Sequence, residues 1–378
     1  MEIKRIAFLD YLRIFACFLV MLVHASENFY GSDSGGMAGN VSFLANESDR
    51  FWVSLYDGFS RMAVPLFMMV SAFLLVPMRE GQSAMEFYKR RAFRILPGFI
   101  AFMVLYSTLP LLWGQLDRET AMTDLTHIVL NFPSLAGHFW FMYPLIGLYM
   151  FIPMISPWLA KVSPKEERVF IWIFVLSTCI PYFNRFFGEV FGQCFWNEYH
   201  MLWYFSGYLG YLVMAHYIRI HLDWDTRKRV TTGLALLLAG AAATILSFYV
   251  QAVPGQPIST PVLEIGWCFC TVNVVALTAG AFLLFTAIPE HKVSEKVVDL
   301  SNMTYGMYLM HIFWLYLWVI VFKNTYMLPT AVAIPAIAVA TFISSAAATK
   351  VLSLIPGGKW LVGLQSSSPA VKKQVVLD

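Results

Sequence analysis

The sequence predicts an all-α, polytopic membrane helix bundle of about ten transmembrane helices with both termini cytoplasmic, and three observations predict it. The first is composition. Of 378 residues, 58% are hydrophobic and 13% charged, whereas a soluble fold of this size uses about a quarter charged residues to cover its surface. With a mean hydropathy of +0.63, the missing polar surface must face lipid. The second is a series of apolar runs of about 20 residues bounded by charge or turn signals. They fall at roughly 6–28, 53–77, 95–113, 139–159, 169–187, 201–218, 231–251, 262–288, 301–322 and 328–352. The third is the placement of basic residues. An even number of crossings puts both termini on one side, and that side takes nearly all of the 26 Lys and Arg. The opposite loops hold only Arg50, Arg118, Arg185 and Lys323, with Arg13 and Arg61 inside helices. One missed crossing would invert every later loop, so this asymmetry supports the helix count and places the termini in the cytoplasm.

The first run follows Lys4 and Arg5 as a signal peptide would, but it is long, carries Arg13 and His24, and lacks a small-x-small cleavage site. It is expected to be retained. The Gly-, Ser- and Asn-rich loop at about 29–52 is expected to cap the bundle or to hold a polar ligand. Residues 1–364 read as one transmembrane unit and 365–378 as a disordered cytoplasmic tail. The net charge of +3 is too small to argue for a nucleic-acid partner. Five cysteines, an odd number with no CxxC or Cys/His spacing, make neither a disulfide framework nor a zinc motif. Cys17, Cys179, Cys268 and Cys270 are expected to be small buried hydrophobes, and no metal is expected.

A charge at membrane depth costs at least a few kcal/mol, which marks the intramembrane ionisable residues as functional candidates. Arg13 and His24 of the first helix are eleven residues apart, about 20° beyond three full turns and about 16 Å along the axis. They share one face, which predicts a polar stripe joining the two leaflets. Snorkelling of Arg13 and an interhelical hydrogen bond for His24 are the structural alternatives. In the second helix Asp57 and Arg61 stand at i,i+4, where an ion pair is the ordinary reading; Pro65 frees a carbonyl and favours a kink. The cluster Lys89-Arg90-Arg91-Ala92-Phe93-Arg94 reads either as positive-inside bias and contact with anionic lipid or as a phosphate clamp of Arg forks. The run from His138 and Trp140 onward reads as an aromatic belt. Ser301, Tyr305, Tyr308 and His311 follow helical spacing and read as packing residues with satisfied hydrogen bonds.

Taken in order, LDYLRIFACFLVMLVHA, VPLFMMVSAFLL, KRRAFRILP, HFWFMYPLIGLYMFIP and SNMTYGMYLMHIFWL resemble the acyltransferase-3 family of bacterial integral-membrane O-acyltransferases, over about residues 6 to 315. The SRMAVPLF form of the second motif is most similar to the branch containing the enterobacterial common antigen O-acetyltransferase. Ala72 departs from the family's Ser-Gly-Phe. The resemblance implies a multi-pass protein of the bacterial inner membrane. It implies transfer of an acyl group, usually acetyl, from cytoplasmic acyl-CoA to a hydroxyl of a surface or lipid-linked glycan, with membrane lipids around it. On that expectation His24 is the general base, and Arg13, Arg90, Arg91 and Arg94 hold the donor. Asp57, Arg61, Ser71, Trp140, Tyr308 and His311 are candidates for lining the cavity or holding the oxyanion. Asp57, Glu27 and Glu264 are equal candidates for orienting the imidazole. A small-molecule transporter is the competing expectation, disfavoured because paired halves are lacking. A ligand sensor is disfavoured because no output domain is evident.

Overall fold

The computed structural model describes residues 5–31, 41–190, 192 and 198–364; the tail expected at 365–378 lies outside the described residues. In chain order the helices are α1 (Ala7–Glu27), α2 (Glu47–Ser60), α3 (Ala63–Leu75), α4 (Ala84–Thr108), α5 (Arg118–Thr126), α6 (Met142–Leu159), α7 (Pro164–Ser177), α8 (Ile180–Phe187), α9 (Tyr208–Ile220), α10 (Thr226–Gln251), α11 (Thr260–Leu263), α12 (Val272–Thr286), α13 (Glu295–Val319), α14 (Thr330–Leu354) and α15 (Gly358–Leu361). Among the described residues nine helical stretches are long and apolar enough to cross a bilayer, with α2–α3 and α7–α8 each counted as one. The chain is an all-α polytopic bundle.

The run expected at 201–218 differs. It divides into a 3-10 turn, His200–Phe205, and the 13-residue α9, because Gly207 between them takes a positive φ of 71°. At 1.5 Å per residue α9 is about 20 Å long, short of a full span, yet Tyr211, Leu212, Val213 and Ala215 are fully buried. It is a core helix rather than a lipid-facing one.

Side-chain ties show which helix ends lie together. Ala7 at the start of α1 donates its N–H to Glu290, just past α12. Arg219 at the end of α9 donates to the Phe73 and Val76 carbonyls at the end of α3. Arg229 in the first turn of α10 donates to Thr286 at the end of α12, and Glu167 in the first turn of α7 meets His216 and His221 of α9. All of these ends therefore share one basic face of the bundle, which requires α9 to return the chain there. At this face α4, α7, α10 and α13 carry local N-caps: Ser83, Ser163, Asp225 and Ser294 accept from the backbone N–H three residues on, satisfying donors the helix leaves free, while α1 has no side-chain cap and uses Glu290 instead.

At the far end Val41–Ser42 pairs antiparallel with Ile258–Ser259. Ser42 and Thr260 share a 2.7 Å hydroxyl contact, and Lys323 donates to the Asn28 carbonyl. The described part of the loop at about 29–52, expected either to cap the bundle or to hold a polar ligand, is tied to the 258–260 segment by these contacts. Pro65 sits in the first turn of α3, so the break falls between Ser60 and Ala63 rather than at a mid-helix kink. Cys17 and Cys270 are buried as expected, whereas Cys179 is half-buried and Cys268 exposed, both standing in turns outside the long helices.

α10 packs backbone to backbone on α12. A Cβ on Gly280 would stand 2.4 Å from the Leu237 amide nitrogen, and one on Gly240 would stand 2.4 Å from that of Leu277. Glycine lets the backbones touch, the packing available where no hydrophobic drive separates helix from lipid. Gly280→Ala forces the pair apart and costs about 1–3 kcal/mol. It is read as a lowered unfolding midpoint in detergent, and a midpoint equal to wild type refutes the contact.

Candidate functional site

The last turn of α1 projects His24 into a buried ionic network. Its Nδ1 lies 2.7 Å from Glu27 Oε2, an i,i+3 pair that one helical turn brings together. Glu27 Oε1 lies 3.7 Å from the Arg61 guanidinium. Arg61 also meets Asp57 at 2.7 and 3.0 Å, comes within 3.8 Å of Glu264, and lies 4.5 Å from the Trp267 ring centroid. Arg61 donates to the Tyr30 hydroxyl at 3.2 Å, and that hydroxyl donates to Glu264 at 2.6 Å. Asp57 is fully buried and Arg61 only 5% exposed, so these charges have been taken out of water and depend on one another. Three carboxylates surround one guanidinium. Glu27, at 2.7 Å from Nδ1 of His24, leaves Nε2 as the ring nitrogen not engaged by that carboxyl.

Two further imidazoles stand beside it. His311 of α13 stacks on His24 with ring centroids 5.2 Å apart, and His138, in the 3-10 turn Gly137–Phe141, lies 4.9 Å from His311. His311 Nδ1 donates to the Tyr308 carbonyl at 2.6 Å, which leaves Nε2 as a lone-pair acceptor without a partner. Neither ring nitrogen of His138 makes a well-formed hydrogen bond, with the Leu309 backbone within looser reach. Both rings are buried. Tyr308 donates to the His138 carbonyl at 2.7 Å and holds that turn in place. Unsatisfied buried nitrogens are costly, and their concentration here suits a ligand rich in hydroxyl groups.

A second polar group forms nearer the basic face. Asp10 accepts from Arg5 at 2.5 and 2.7 Å and from Ser301 at 2.6 Å, and Arg13 lies 3.8 Å from it. Arg94 and Tyr149 are within electrostatic reach of Arg13, as are Arg94 and Tyr149 of Arg91. Tyr149 donates to Ser71 at 3.4 Å. Arg90 departs from the expected three-arginine clamp. It pairs with Glu86 on the exposed side of α4, because a residue adjacent to Arg91 points about 100° away around the helix.

The polar stripe predicted along α1 is interrupted. Between Arg13 and His24 the same face carries Ala16, Cys17 and Val20, all buried, so two polar groups stand at either end of an apolar middle. Ser71 belongs to the Arg13 group, and Trp140 stacks on Phe269 at 5.3 Å. Sequence reasoning missed His138, which it took for part of an aromatic belt. The signal was a histidine opening an apolar helix, but nothing in the sequence sets it against His311.

This architecture, apolar helices around buried charge and imidazole, defines a multi-pass membrane protein with an internal polar site. A family model described as an acyltransferase domain matches residues 6–350, and the chain belongs to that family, acyltransferase-3. No curated protein and no solved structure matches it.

Proposed function

We propose that the chain moves an acyl group, acetyl on the implied family chemistry, from acyl-CoA to a hydroxyl of a surface or lipid-linked glycan in the bacterial inner membrane. The basic face and both termini are cytoplasmic in this reading, as the Lys and Arg asymmetry supports. The observation that carries it is the His24–Glu27–Arg61 chain set beside the rings of His311 and His138, whose free nitrogens lack well-formed hydrogen bonds.

Glu27 accepts the Nδ1 proton of His24, leaving Nε2 as base. As the sugar oxygen attacks the thioester carbonyl, Nε2 takes its proton. Collapse of the tetrahedral intermediate breaks the carbon–sulfur bond, and the imidazolium returns the proton to the CoA sulfur, giving ester and free thiol. His311 and His138 accept hydrogen bonds from neighbouring sugar hydroxyls. Arg61, its N–H groups taken by Asp57 and Tyr30, supports the imidazolium network rather than the oxyanion. The location of Ser71 beside Tyr149 favours direct transfer over an acyl-serine. Arg13, Arg91 and Arg94 hold the donor's phosphates at the basic face, and Arg90 contributes only to the surface potential. The family match favours acyl transfer over small-molecule transport.

The test is thiol release by the purified full chain in detergent, with acetyl-CoA and a glycan acceptor. Arg91→Gln with Arg94→Gln raises the donor KM about tenfold or more, at about 1.5 kcal/mol or more per lost charged hydrogen bond, with kcat little changed. An unchanged KM returns both residues to a topological role. Solute uptake into vesicles without thiol release overturns the acyltransferase reading. Mass spectrometry of surface glycans from cells with and without the gene identifies the acceptor.

A further inference from the structure

We infer that Glu167, His216 and His221 bind a divalent transition-metal ion, zinc by the character of the donors, at the junction of α7 and α9. Glu167 is fully buried and His216 nearly so. Among the described residues its ion-pair partners are the two histidines alone. Arg168, the next residue, turns to the Tyr217 hydroxyl instead. A buried carboxylate without Lys or Arg calls for positive charge from elsewhere.

The spacing suits a metal. His216 Nδ1 hydrogen-bonds Glu167 Oε1 at 2.8 Å, a bond that an ion replaces, and His221 Nε2 lies 3.2 Å from Oε2; one donor atom from each of the three falls within 4.8 Å of the others. Tetrahedral zinc with bonds of about 2.0–2.2 Å sets adjacent donors about 3.3 Å apart. The His221–Glu167 approach has that separation, yet both atoms lack a well-formed hydrogen bond. Two facing groups at hydrogen-bond distance without hydrogen-bond alignment are what two ligands of a common ion present.

Two imidazoles and a carboxylate are borderline donors that favour zinc over magnesium or calcium. They leave a fourth position for water on the side where the His221 side chain is 16% exposed, which also gives the ion a way in. The sequence hides the site because Glu167 lies far from the other two, and His216 and His221 straddle the end of α9 rather than following a helical ligand spacing. Bound there, the ion staples the start of α7 to the end of α9, whose Arg219 caps α3. The inference is independent of the acyltransferase reading.

The test is elemental analysis of the full chain purified in detergent without chelator, followed by cobalt substitution. Wild type carries about one zinc per chain. Cobalt added to chelator-stripped protein gives the intense visible absorption of a tetrahedral site, and chelation lowers the unfolding midpoint. His216→Ala and Glu167→Gln lose the zinc and the absorption. If these buried variants fail to fold, His221→Ala at the exposed edge serves instead, with the same loss expected. Protein that takes up neither zinc nor cobalt overturns the inference and leaves a hydrogen-bonded trio. Stoichiometric metal that survives His221→Ala overturns it equally, by placing the ion elsewhere.

Discussion

His24→Ala abolishes acyl transfer, lowering turnover by about 10²–10⁴-fold as expected for loss of a general base, while the protein inserts and elutes as wild type does. The imidazole is held by Glu27 at 2.7 Å, and removing the ring removes the group that carries this carboxyl's contact to the face of His311. Neither neighbouring histidine replaces it. His311 commits Nδ1 to the Tyr308 carbonyl, and His138 has no carboxylate behind it. Glu27→Gln keeps the geometry but removes the charge that supports the imidazolium, so its turnover falls between the two. Single-turnover thiol release at saturating donor is the measurement. Turnover of His24→Ala within a few-fold of wild type excludes the base assignment.

Arg61→Met destabilises the fold by about 3–5 kcal/mol, the cost of leaving buried charges uncompensated. Methionine fills similar volume, so the loss reports charge rather than a cavity. Asp57, Glu27 and Glu264 all face this one guanidinium, and α2, α1 and the turn before α12 meet through it. Arg61→Lys recovers only part of the loss, because an ammonium lacks the planar fork that reaches Asp57 and Tyr30 together. Unfolding of purified protein in detergent, followed by intrinsic tryptophan fluorescence, reads the effect through nearby Trp267. A midpoint unchanged in Arg61→Met means the carboxyls are neutral without it and sinks the network argument.

Much of the bundle was legible because lipid imposes a simple rule on composition: runs of about 20 apolar residues can only be spans. The rule failed at α9, where Gly207 interrupts the run and a core position replaces the lipid-facing one. That Arg13 and His24 share one face of α1 was legible from the period of a single helix, but the apolar residues between them were not read as a break. The three-way choice among Glu27, Asp57 and Glu264 was not, since all three sit at the same end of the bundle. The structure divides the labour, giving the imidazole to Glu27 and the guanidinium chiefly to Asp57, with Glu264 reached through Tyr30. His138 and His311 come from segments far apart in the chain, and only tertiary packing sets one ring against the other. Arg90 was grouped with its neighbours by adjacency, which a helix reverses.

The apolar middle of α1 bears on how such a catalyst coexists with an energised membrane. An open aqueous bore from the arginines to His24 would short-circuit the ion gradient across the bilayer. Ala16, Cys17 and Val20, packed at that level with little exposure, act as a gasket, and the two ends of α1 are pinned by Asp10 to Ser301 and by Glu27 toward Arg61. If the proposed transfer from acyl-CoA holds, the thioester arm passes this level only by displacing those packed side chains.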